Sequence, residues 1–138
     1  MTSKLIYLTY QTFPANTANS LQTITMLKYF SRSSYDVELI FPNRADNSSG
    51  DIEILQKHYD FKESYDVTLT KHNYPFRDYK TKVYFKKLRF HISHFLWSLN
   101  VVKSVAGNQK SDILFFTRSD WVFYFLSKKN KNVTFECH

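Results

Sequence analysis

The sequence predicts an α/β domain: a Rossmann-like parallel sheet of about five strands, in the order 3-2-1-4-5, with helices on both faces. Three observations carry this reading. Short runs rich in Ile, Val, Leu and Phe alternate with segments of helical periodicity, which requires parallel strands joined by crossovers. The length of 138 residues suits one domain and is too short for two. With 43% apolar and 22% charged residues the chain can form a core, and only two glycines and three prolines exclude linker-like or collagen-like segments.

Residues 4–10 read as a buried strand, stopped by the loop containing Phe13 and Pro14, because proline has no N–H for a ladder. Thr17 or Asn19 can cap the next helix, residues 19–32, in which Leu21, Ile24, Met26, Leu27 and Phe30 recur at helical spacing. Residues 35–41 form the second strand, ended by Pro42 and Asn43. Asp51 opens a short helix carrying Ile52, Ile54, Leu55 and Tyr59, and residues 66–70 are a third, less apolar strand. Residues 71–82 are irregular and basic. From Val83 to Ala106 the apolar residues Phe85, Leu88, Ile92, Phe95, Leu99, Val102 and Ala106 are spaced alternately by 3 and 4, one continuous helical face that Gly107 ends. A fourth strand (112–116), a short helix (119–127) and a fifth strand (133–136) follow.

Net charge is +7, of which the segment 71–89 carries +6. A block of that kind implies an anionic partner surface: phospholipid, nucleic acid or a phosphorylated substrate. Tyr74, Phe76, Tyr79, Tyr84 and Phe85 interleave there with Lys80, Lys82, Lys86, Lys87 and Arg89, so peripheral contact with an anionic membrane through residues 74–89 is expected. Nucleic acid is the less favoured partner, since the rest of the chain is nearly neutral and no RNA-binding signature appears. No segment reaches the ~20 apolar residues of a membrane span, and the short apolar run near the N-terminus reads as a strand rather than a signal. The single Cys137 forms no intrachain disulfide, suits a reducing compartment, and reads as a small buried apolar residue.

In a sheet of this order, ligands sit at the carboxyl ends of the strands where the order reverses, here between strands one and four. That edge gathers Thr9, Tyr10 and Gln11; Thr117, Arg118 and Ser119; and Glu136, Cys137 and His138. Arg118 carries a forked donor array for phosphate or carboxylate. Glu136 sits inside an apolar strand, where an unpaired carboxylate is costly, so it should face the crevice or pair with a cation such as Arg118. His138 is a candidate proton shuttle. His91 and His94 are three apart on the long helix, but carboxylate or cysteine partners at metal spacing are missing, so no metal is expected. No Walker loop, dinucleotide fingerprint or serine elbow is present.

The stretch from Phe13 to Thr23, the strand Asp36-Val37-Glu38-Leu39-Ile40-Phe41-Pro42, the run Asp112-Ile113-Leu114-Phe115-Phe116-Thr117-Arg118 and the end Val133-Thr134-Phe135-Glu136-Cys137-His138 resemble the N-terminal, acceptor-side domain of family 4 retaining glycosyltransferases, which have the GT-B fold. The resemblance covers nearly the whole chain. It implies transfer of a sugar from a nucleotide-sugar to an acceptor, possibly a lipid-linked or cell-surface glycan. It places His138 beside the transferred sugar as the catalytic residue. It places the loop bearing Gln11, Asn16, Thr17, Asn19 and Ser20 near the acceptor or the donor diphosphate, although the glycines usual in that loop are missing here. Residues 1–138 would then be a single, incomplete domain, with no cofactor of its own. A nucleotide-sugar is expected only with a C-terminal donor domain, in the same protein or on a partner chain. Alone, the chain is expected to be inactive. A cytoplasmic location, peripheral at the inner membrane face, fits this picture. The rival readings are a basic nucleic-acid-binding domain and a non-catalytic Rossmann-like domain that binds a partner.

Overall fold

The computed structural model describes residues 2–72, 83–107, 112–129 and 131–137. Five strands and four helices alternate: β1 (Ser3–Leu8), α1 (Ala18–Ser31), β2 (Tyr35–Pro42), α2 (Ile52–Tyr59), β3 (Asp66–Thr70), α3 (Val83–Ala106), β4 (Ile113–Thr117), α4 (Asp120–Lys128) and β5 (Val133–Phe135). The strands form one sheet in the order β3-β2-β1-β4-β5. Every neighbouring pair is parallel. The predicted fold class, strand order and helix limits of α3 therefore hold. β1 stops two residues sooner than its apolar run suggests, and β4 runs one residue further.

Alternation along the strands builds two cores. Leu5 and Tyr7 of β1 point with Val37, Leu39 and Phe41 toward α1 and α2, where Ile24, Leu27 and Leu55 meet them. Ile6 and Leu8 point with Ile40 and Phe115 toward α3 and α4, where Trp97, Val101, Val102, Val122 and Leu126 close the layer. The central strand is thus buried on both sides, as a parallel strand between helical layers must be.

Helix ends follow local chemistry. The Thr17 hydroxyl accepts from the Ser20 N–H at 3.1 Å and starts α1. Asp51 accepts from the Glu53 N–H at 2.9 Å and starts α2. Ser119 caps α4. The α2 C-cap, Asp60, has φ 51°, a left-handed conformation in which a short polar side chain is tolerated.

Three expectations are corrected. Leu21, assigned to the apolar face of α1, is 51% exposed, and the buried side of that helix uses Ser20 and Thr23 beside Ile24 and Leu27. Small side chains there let α1 lie close to the sheet. The seven-residue apolar row on α3 is mostly not its buried face: Phe85, Leu88 and Ile92 are exposed, while Ser93, Trp97, Ser98, Val101, Val102 and Val105 are buried. Cys137 is exposed rather than buried, because it lies beyond the last residue of β5.

Candidate functional site

At the carboxyl edge of the sheet, between β1 and β4, lies a cleft of about 190 Å³ lined by Thr9, Tyr10, Gln11, Asn19, Phe90, His94, Arg118 and Ser119. Its position follows from topology. The chain leaves β1 toward α1 on one side and leaves β4 toward α4, so the two departing loops part at this point. Gln11, Asn19 and Arg118, distant in sequence, meet there as expected.

On the α1 side a polar chain holds the wall. Arg118 has a nearly buried side chain, which donates from Nη1 to the Asn19 carbonyl at 3.0 Å and sets Nη2 3.3 Å from Glu136 Oε1. Glu136 also accepts from the Tyr7 hydroxyl at 2.6 Å and from Gln22 Nε2 at 3.2 Å. Thr23 Oγ1 donates to Gln11 Oε1 at 3.1 Å and lies 3.4 Å from Arg118 Nη1. The predicted pairing of Glu136 with Arg118 is present. The largely enclosed carboxylate is thus compensated by a guanidinium and two further donors, as partial burial of a charge requires. Burial, together with the Glu136 contact, pushes the Tyr7 hydroxyl pKa well above its usual value, so it stays a donor.

The α3 side is aromatic. His94 stacks on Tyr10 with ring centroids 4.6 Å apart and 14° between planes. Its Nε2 lies 2.5 Å from Ser119 Oγ. Burial first, then the positive charge of Arg44 and of His91, lowers the His94 pKa to about 4, so the imidazole is neutral at neutral pH. Ser119 Oγ also accepts the Val122 N–H as its cap bond at 3.3 Å and lies 3.4 Å from Ser98 Oγ. Arg44 covers the Tyr10 ring at 4.2 Å and Phe90 at 5.0 Å, and its Nη1 donates to the Tyr10 carbonyl at 2.6 Å. The Tyr10 hydroxyl reaches His72 Nε2 at 2.7 Å.

The remaining loop residues are placed elsewhere. Phe13 is fully buried against Phe41, and Ala15 exchanges two hydrogen bonds with the Tyr59 hydroxyl, at 2.7 and 2.8 Å. The loop is thereby drawn toward α2. Asn16 accepts from His58 at 2.8 Å, while Thr17 and Ser20 bond each other at 2.7 Å in the α1 cap. These three side chains do not line the cleft. His138, Lys80 and Lys82 lie outside the described residues, as do Tyr74, Phe76 and Tyr79. Lys86 and Lys87 are exposed at the start of α3, and Arg89 is half-buried.

Comparison of the chain with protein-family models, with curated proteins and with solved structures finds no match. The site therefore rests on its own geometry.

Sequence reasoning missed Phe90 and Arg44, and weighed His94 only as a metal ligand. Phe90 and His94 are four apart and so share one side of α3, opposite the apolar row that drew attention. Arg44 comes from a polar loop, and only the tertiary fold brings it over Tyr10. A larger groove of about 700 Å³ beside α3 is floored by Ile6, Ile40 and Ile113. Its charged pair, Lys4 and Glu38, is closed on itself at 2.8 Å, and Glu38 also accepts from Thr68 at 2.8 Å. No helix of the described residues is long and apolar enough to cross a membrane, and no three His, Cys, Asp or Glu side chains among them gather as metal ligands.

Proposed function

We propose that the chain is the acceptor-side half of a nucleotide-sugar-dependent glycosyltransferase. The observation that supports this reading is the β1/β4 cleft, which combines hydroxyl-binding side chains with an aromatic wall. Gln11 and Thr9 line it and carry donors and acceptors for hydroxyl groups. Phe90, 41% exposed, offers a ring face for the C–H side of a sugar. Arg118 is held rigidly by Asn19 and Glu136, so it presents one fixed geometry to an anionic or hydroxylated acceptor. The nucleotide-sugar belongs to a second domain or a partner chain, because transfer needs donor and acceptor held face to face. Binding in the cytoplasm, at the inner face of a membrane, belongs to the same proposal.

The test is titration of the isolated chain with mono- and disaccharides, followed through the amide and side-chain NMR signals of Gln11 and Arg118. Saturable shifts confined to the cleft, weakened about tenfold in Arg118→Ala, are expected from loss of one charge-assisted contact. A saccharide panel that leaves these signals unmoved, together with salt-sensitive binding of single-stranded RNA, would replace the transferase reading by the nucleic-acid one.

A further inference from the structure

Among the described residues, nothing covers the exposed row at the start of α3, and the row does not stand alone. At 100° per residue, Trp97, Val101 and Val105 lie on one side of the helix, while Phe85, Leu88 and Ile92 lie on the opposite side. These three are 60%, 56% and 42% exposed. The row runs on into α4, where Phe95 meets Trp121 at 4.9 Å and Phe125 at 5.5 Å. Trp121 and Tyr124 are themselves 36% and 46% exposed. Isolated surface leucines need no explanation, but a contiguous aromatic and aliphatic ridge marks an interaction surface.

Charge selects the partner. The 24 residues of α3 contain Lys86, Lys87, Arg89 and Lys103 and no acid. Lys103 falls in line with the exposed row, and Arg89 lies at its border by the same helical angle. On α4, Lys128 Nζ sits 4.8 Å from the Tyr124 ring, and Asp120 is the only acid of the two helices. Interfaces between protein copies are depleted in lysine at their centres. Tryptophan and tyrosine mixed with lysine, on a helix polar on one side and apolar on the other, is the composition of a surface lying at the headgroup level of a bilayer.

We propose that the face formed by Phe85, Leu88, Ile92, Phe95, Trp121 and Tyr124 seats the protein on anionic phospholipid. This face shares Phe85 and Leu88 with the segment 74–89, where sequence places the membrane contact, and extends it to a ridge shared by two helices. The proposal is independent of what the β1/β4 cleft binds.

The test uses the whole chain and vesicles of phosphatidylcholine, with or without phosphatidylglycerol. Co-sedimentation is expected only with the anionic vesicles, and it should weaken as salt is added. Leu88→Ser with Ile92→Ser should cut vesicle affinity about tenfold or more by removing apolar contact. Because both positions face solvent, that variant should keep the wild-type helical spectrum and unfolding midpoint. Arg89→Gln and Lys128→Gln should each cost about fivefold. Trp97 is buried and Trp121 half-open, so anionic vesicles should protect the acrylamide-quenchable part of the tryptophan emission. Equal binding to neutral vesicles, no binding at all, or unchanged binding by the serine double variant would overturn the proposal. A dimer in sedimentation that the double variant abolishes would overturn it too, and would assign the ridge to a second copy.

Discussion

His94 shows how far one side chain's surroundings can move its chemistry. Its pKa of about 4, set mainly by burial against Tyr10, lies well below the 6.5 of an unfolded histidine. Above pH 6.5 neither state binds the proton and the group is silent. Between 6.5 and about 4 the unfolded chain takes up a proton that the native state refuses, so stability falls as pH falls. The loss from this group reaches up to about 3 kcal/mol near the lower end. Urea unfolding as a function of pH should show it, and His94→Gln should flatten that limb by a similar amount. An identical acid limb in the variant would mean that other groups dominate. At this scale the sequence was only partly informative. Gln11, Arg118 and Glu136 were legible, because strand ends can be placed from apolar runs and a carboxylate in an apolar strand demands a cation. His94 was not, because its role depends on the crossing of α3 over the strand ends, which no local pattern encodes.

Among the elements, α3 is the instructive case. Its limits were legible to the residue, yet its buried side was not, because the helix carries two rows and periodicity favours the one with larger side chains. The buried row is broken by Ser93 and Ser98, small residues that let the helix pack closely against the sheet and α4. The larger row is uninterrupted and looks like the core, but its first three members, Phe85, Leu88 and Ile92, are exposed. Ser93 is 1% exposed, and its hydroxyl finds no hydrogen-bond partner among the described residues. Replacing it by alanine removes an unsatisfied polar group and improves helix propensity, so Ser93→Ala should stabilise the protein by about 1 kcal/mol, read from the urea midpoint at unchanged slope. A destabilised variant would show that the hydroxyl is satisfied by water.

For the molecule as a whole, the sheet order sets a gradient of stability. β1 is paired on both sides from Lys4 to Leu8 and buried from Leu5 to Leu8, whereas β5 contributes three residues and, among the described residues, pairs only with β4. Amide exchange should therefore be slowest for Leu5–Leu8 and fastest in β5 and β3, the two edge strands. Equal protection at β5 would mean that something covers its open side. The order itself was legible because alternating strands and helices leave few permitted topologies.

A single rod joins the cleft and the apolar ridge. Phe90 and His94 wall the cleft from one flank of α3, and Leu88 and Ile92 project from the other, with roughly one helix diameter of about 10 Å between them. The helix cannot roll or slide without carrying both flanks together. Any force applied to the outer flank is therefore delivered, undamped by any loop, to the mouth opposite.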